Sequence, residues 1–161
     1  MKIKTLAGVL FLLFFCSASW AEQNPSDGKI KTFVSILPQA YFVERIGGPF
    51  VDVEVLVGPG QPDETYEPSP KQMVALAETQ IYFRIGLPFE DQLLKKIIAS
   101  HEHLKVIDSR ADISLQPMES LETPDPHIWM DPSLVKIQSR TICNALKEID
   151  PARSSEYEEN L

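Results

Sequence analysis

Two loops of this 161-residue chain hold the side chains best suited to metal or acid chemistry. The first runs Gly58-Pro59-Gly60-Gln61-Pro62-Asp63-Glu64-Thr65-Tyr66-Glu67-Pro68-Ser69-Pro70 and sets three carboxylates among prolines. The second runs Pro124-Asp125-Pro126-His127-Ile128-Trp129-Met130-Asp131-Pro132 and places an imidazole between an Asp-Pro step and a Trp. Proline fixes φ and biases the preceding residue toward extended backbone, so both loops present their side chains with little ordering entropy left to lose. Neutral imidazole is a common transition-metal ligand, and Glu64 or Asp63 could add a carboxylate oxygen. Two readings stand side by side. In one, His127 and either Glu64 or Asp63 bind a metal. In the other, His127 bonds a loop carbonyl and Asp63, Glu64 and Glu67 are solvated turn residues. Two donors do not complete a site, because a structural zinc takes four protein ligands and a catalytic one three plus water.

Other chemistries find less support. The chain has no Gly-rich phosphate loop, no Gly-x-Ser-x-Gly elbow and no His-Glu-x-x-His helix, so no enzyme is expected. Carboxylates adjacent in one loop lack the opposed geometry of glycoside hydrolysis, which leaves a secreted carboxylate hydrolase as a remote alternative. His101 and His103 stand two apart near a helix end and read as solvated surface. Tyr66, Phe83 and Trp129 read as packing residues, and Cys143, inside an apolar helix face, as an inert buried thiol.

The elements that must position the two loops follow from periodicity. Residues 32–37, 51–57, 81–85 and 104–107 read as strands. Residues 39–46, 70–78, 89–99 and 132–149 read as helices, the first stopped by Gly47-Gly48 and the last capped by Asp131. Strand and helix in alternation predict an α/β fold: a parallel β-sheet with helices on both faces. Each candidate loop follows a strand, and ligands of such folds gather where loops leave the carboxyl ends of strands.

Composition bounds the partners. With 15 Lys+Arg against 23 Asp+Glu the net charge is -8, which disfavours a nucleic-acid backbone or an anionic lipid surface and leaves cations open. Lys2 and Lys4 precede an apolar run over residues 6–15, and Ser19-Trp20-Ala21 supplies small residues where a signal peptidase reads. Residues 1–21 are therefore expected to be a secretory signal, too short to span a bilayer, which needs about 20 apolar residues. Bulky Phe14 and Phe15 before Cys16 argue against a lipid anchor. Cleavage after Ala21 would remove two lysines and no acids, and would leave Cys143 without a partner for an intrachain disulfide. Residues 22–30 read as a flexible leader. Pro151 opens a further helical pattern that is still running at Leu161.

Taken in order, segments 33–48, 53–90 and 125–146 closely resemble the periplasmic metal-binding proteins of zinc and manganese ABC importers, over residues 31–161. The resemblance implies a receptor that captures Zn²⁺ or Mn²⁺ outside the inner membrane for a membrane permease, with no organic substrate and no nucleic acid. It also implies two α/β lobes joined by a long helix, the metal lying between them. The family's Asp-Pro-His-like segment maps onto Asp125-Pro126-His127. Its Pro-His-Thr-Tyr-Glu-Pro-like segment maps onto residues 63–68, with Glu64 where the family has His. Oxygen in place of nitrogen hardens the site and favours Mn²⁺-like ions. On this resemblance residues 31–150 are the amino-terminal lobe, residues 151–161 start the interlobe helix, and the second lobe is expected to be missing. A degenerate lobe without metal function is the alternative.

Overall fold

The computed structural model describes residues 28–63, 65–98, 103–117 and 124–161. The expected signal over residues 1–21, most of the leader, Glu64 and His101 lie outside them. Four strands form one sheet: β1 (Ile30–Ile36), β2 (Val51–Val57), β3 (Ile81–Arg84) and β4 (Lys105–Asp108). All pairings are parallel and the spatial order is β2-β1-β3-β4. The helices are α1 (Leu37–Gly47), α2 (Pro70–Ala77), α3 (Pro88–Ile98), α4 (Pro132–Ile149) and α5 (Ser154–Asn160). None in the described residues is long and apolar enough to cross a membrane.

The chain steps from β1 outward to β2, then back across β1 to β3 and on to β4. Right-handed crossovers in opposite directions must put their helices on opposite faces. Accordingly α2 and α3 cover one face, where Phe33, Leu56, Tyr82, Leu76, Leu93 and Ile97 are buried together. The other face carries α1, α4 and α5 over Val34, Ile81, Phe83, Val43, Ile142 and Tyr157. Neighbouring residues such as Phe33 and Val34, or Tyr82 and Phe83, enter opposite layers, as the two-residue period of a strand requires. Both faces are apolar because both are covered.

Element ends differ from the sequence expectation by a residue or two, and local bonds explain the shifts. Ile85 leaves β3 because its N–H donates to Glu90 Oε1 at 2.8 Å rather than to a neighbouring strand. Leu37 joins α1 because Pro38 fits the first helical turn. At the other end of α1, a Cβ on Gly47 would come within 2.4 Å of Val51 Cγ1, so only glycine lets β2 start so close behind.

The last helical pattern is broken into a 3-10 turn (Pro151–Arg153) and α5. Asp150 Oδ2 causes the turn to close, accepting from Arg153 Nη1 at 2.6 Å and from the Tyr157 hydroxyl at 2.9 Å. Tyr157 is fully buried, Arg153 stacks 4.5 Å above the Phe50 ring, and Asn160 Nδ2 donates to the Ile46 carbonyl at 3.0 Å. Burial raises the Tyr157 hydroxyl's pKa well above its ordinary value, with the Asp150 bond adding to it. Cys143 lies beneath α5, fully buried, its thiol pKa raised by burial and by Glu158.

Candidate metal centre

Both candidate loops leave carboxyl ends of strands, the first after β2 and the second after β4. These are the two outer strands of the sheet. Their anchors nevertheless enter the same apolar layer, where Tyr66 of the first loop, Ile128 of the second and Ile113 of the segment between β4 and the second loop are buried.

The first loop is fastened on both sides of residue 64. Tyr66 is 8% exposed and meets the Phe89 ring edge-on at 5.2 Å. Its hydroxyl donates to Gln72 Oε1 at 2.8 Å, and Gln72 Nε2 donates to the Leu56 carbonyl of β2 at 2.8 Å. Gln72 also closes the capping box of α2 with Ser69, so one amide ties loop, strand and helix. Asp63 is half-buried and Glu67 exposed. Glu64 itself lies outside the described residues. A cavity of about 450 Å³ opens between residues 65–68 and α3, lined by Tyr66, Phe89 and Lys96 among others and, among the described residues, by no histidine.

In the second loop, Pro117 and Pro124 form an antiparallel bridge, and Asp125 N donates to the Gln116 carbonyl at 2.9 Å. Pro126 and Ile128 are buried on either side of His127, whose side chain keeps 38% of its surface exposed. A 3-10 turn (Ile128–Met130) then leads to Asp131, which caps α4 by accepting from Ser133 N at 2.7 Å. The His127 ring lies 5.0 Å from Trp129, tilted by 52°. Asp125 Oδ1 accepts both from His127 N at 3.0 Å and from Nδ1 at 2.6 Å. These bonds, the backbone one first, hold the Asp125 carboxyl below the usual carboxylate range. Nε2 has no hydrogen-bond partner among the described residues. The expected alternative for His127, a bond to a loop carbonyl, is not what the structure shows: its partner is a carboxylate two residues before it.

A buried polar cluster lies between these loops, at the ends of β1 and β3, and the sequence reading missed it. Glu90 is fully buried and accepts from Ile85 N at 2.8 Å, Gly86 N at 2.6 Å, Leu87 N at 3.1 Å and Arg84 Nε at 3.2 Å. The Ser35 hydroxyl donates to Oε1, the oxygen that also accepts from Ile85 N, and lies 2.7 Å from the Tyr82 hydroxyl. Burial, then the Glu90 charge, raises the Tyr82 pKa well above the ordinary value. Beside it, buried Gln39 accepts from Ser35 N at 3.0 Å and donates to the Phe83 carbonyl at 3.2 Å and Ser109 Oγ at 3.0 Å. An acid as third residue of a helix opened by proline was the available signal, since that position reaches back to free N–H groups.

His103 is exposed. Among the described residues no three His, Cys, Asp or Glu side chains gather closely enough to hold an ion.

A parallel sheet with helices on both faces, whose outermost loops offer one imidazole and scattered carboxylates, defines an α/β fold with its candidate donors at the carboxyl edge. The chain belongs to the family of zinc-uptake complex component A, periplasmic (ZnuA), whose model matches residues 33–161. A crystal structure of ZnuA is 45% identical, with a TM-score of 0.77 over 82% of this chain and 51% of that one. A zinc-bound ZnuA deletion mutant matches with the same 45% identity, TM-score of 0.77 and coverage of 82% and 51%. The iron-binding protein YfeA of Yersinia pestis is 29% identical across 94% of this chain and 50% of its own length. The chain thus spans about half the length of the relatives it matches. The iron ABC transporter substrate-binding lipoprotein MtsA of Streptococcus pyogenes is a further relative, 27% identical across 94% of this chain and 52% of its own length.

Proposed function

We propose that this chain is the amino-terminal lobe of an extracytoplasmic receptor that captures a divalent metal ion, Zn²⁺ or Mn²⁺, for the permease of an ABC importer. Residues 31–150 form that lobe, and residues 151–161 open the helix leading to a second one. His127 is the nitrogen ligand through Nε2, and Glu64 the oxygen ligand. One observation carries this reading: an imidazole at the carboxyl edge of the sheet, immobilised at Nδ1, with Nε2 unbonded among the described residues and the ring partly exposed. A packing histidine would have both nitrogens engaged or the ring covered.

The donors of one lobe do not close a coordination shell, so further ligands must come from outside the described residues. The export signal over residues 1–21 fits a periplasmic site of action, and the acidic balance fits a cationic cargo. A carboxylate at position 64 moves the donor set toward harder ions, which makes Mn²⁺ the competitor to test against Zn²⁺.

Calorimetric titration with Zn²⁺ and with Mn²⁺ tests the assignment. His127→Ala is expected to weaken Zn²⁺ binding at least about tenfold, as loss of an inner ligand or its support does. Glu64→Ala is expected to weaken Mn²⁺ more than Zn²⁺. Unchanged binding in His127→Ala would remove it from the site.

A further inference from the structure

Asp125 has a position that packing does not explain. Its side chain is 45% exposed, so it fills no core, yet a single oxygen, Oδ1, accepts two bonds from the same residue: His127 N at 3.0 Å and Nδ1 at 2.6 Å. An ionised carboxylate only accepts hydrogen bonds. Nδ1 must therefore carry the proton, and in neutral imidazole this leaves Nε2 with the bare lone pair. The surroundings restrict the ring further. Pro126 and Ile128 are buried on either side of it, and the Trp129 ring lies 5.0 Å away. The Gln116 carbonyl holds Asp125 itself by its N–H at 2.9 Å.

We propose that Asp125 is a positioning residue that holds His127 in the Nδ1–H tautomer and aims Nε2 outward as the atom offered to a divalent cation. The inference rests on His127 being a metal ligand. It adds which nitrogen binds, and which side chain decides that. Ligating histidines gain basicity and fixed orientation when the remote N–H is held by a carboxylate, and losing such a partner typically weakens metal binding about 10–100-fold.

The experiment uses the full chain with His101→Gln and His103→Gln, which leaves His127 as its sole histidine. The first readout needs no metal: long-range ¹H–¹⁵N correlation of the imidazole at a pH where the ring is neutral. The parent should show a single tautomer with a protonated Nδ1, and Asp125→Ala should shift it toward the Nε2–H form. Asp125→Asn, whose amide oxygen can still accept, should restore most of the Nδ1–H population. The second readout is Zn²⁺ affinity by competition with a chromophoric chelator, expected to fall about 10–100-fold in Asp125→Ala and to recover in part in Asp125→Asn. Near-ultraviolet dichroism checks that each variant is folded. An Nε2–H tautomer in the parent, or a tautomer and affinity unchanged in Asp125→Ala, overturns the proposal. Zn²⁺ affinity unaffected by His127→Ala is a different failure: it overturns the ligand assignment, while the tautomer readout still reports whether Asp125 orients the ring.

Discussion

Replacing Glu90 tests what holds the carboxyl edge of the sheet together. Its carboxylate serves five donors: the N–H groups of Ile85, Gly86 and Leu87, the Ser35 hydroxyl and the Arg84 guanidinium. Ser35, Ile85 and Leu87 are themselves buried, so water cannot easily replace the lost acceptor. Each orphaned buried donor costs about 1–3 kcal/mol, and these costs overlap because the turn can relax. Arg84 keeps Asp91 at 3.0 Å, which softens the loss on that side. Offsetting all of this, the fully buried carboxylate no longer has to be desolvated. Breaking one partner of a buried pair settles near 3–5 kcal/mol. That is a large share of the roughly 5–15 kcal/mol that a domain commands.

Glu90→Ala is therefore expected to lower stability by about 3–5 kcal/mol, or roughly 10–20 °C in melting temperature for a domain of this size. Glu90→Gln separates charge and acceptor count from volume. Turned one way, its NH₂ replaces Oε2 and faces the N–H groups of Gly86 and Leu87 and the guanidinium. Turned the other way, it replaces Oε1 and meets the Ile85 N–H and a Ser35 hydroxyl that can rotate to accept. The second arrangement is better and strands one backbone donor, for a loss of about 2–3 kcal/mol. Urea denaturation measures both variants, with an unchanged m-value confirming that the same surface unfolds. A Glu90→Gln protein within about 0.5 kcal/mol of the parent, or a Glu90→Ala protein within about 1 kcal/mol, would refute this account of the cluster.

Two further perturbations probe the elements around the site. Gly86 has φ +90, and a Cβ there would lie 1.7 Å from Arg110 Nη1. Gly86→Ala should thus cost about 1–3 kcal/mol in urea denaturation through backbone strain and displacement of the Asp108–Arg110 pair. Glu158 accepts from Lys147 Nζ at 2.9 Å and from Arg140, bonds that hold its carboxyl down to about 2. A depressed carboxylate stabilises the fold above its ordinary pKa of 4.5, and that contribution is lost as the pH falls toward about 2. Between those limits the parent should lose stability more steeply than Glu158→Gln, with a smaller difference in high salt; parallel pH profiles would show that the pair does not couple α5 to α4.

Local patterns made most of the fold legible. Two-residue alternation marked β2 from Val51 to Val57, and Asp131 ahead of Pro132 marked the start of α4 with its end at Ile149, because caps and periods are properties of neighbouring residues. The imidazole of His127 was legible as a candidate for the same reason. Its partner was not. Asp125 is two residues away, and only the turn through buried Pro126 brings its oxygen to Nδ1. The Glu90 cluster was further from reach, since Ser35 and Glu90 stand 55 residues apart and meet only once β1 and β3 are paired. Glu64, the other candidate, lies outside the described residues, so its role rests on the matching segment alone.

The Glu90 cluster also bears on where an ion can sit. In this sheet the chain reverses its direction of travel between β1 and β3, the position where open α/β sheets usually open a ligand crevice. The protein's own groups occupy that position: the Glu90 carboxylate, Ser35, and Gln39 with Ser109, all fully buried. A cation drawn to the carboxyl edge meets a carboxylate already saturated by donors, so it has no lone pairs to gain there. Among the described residues, the candidate donors still open belong to the loops after β2 and β4, which flank the filled crevice from the two outer strands. An ion held by both loops must rest above the plugged crevice with its far side uncovered. On the proposed assignment, a lobe built this way would supply one side of a metal site and leave the other side to be closed by different residues.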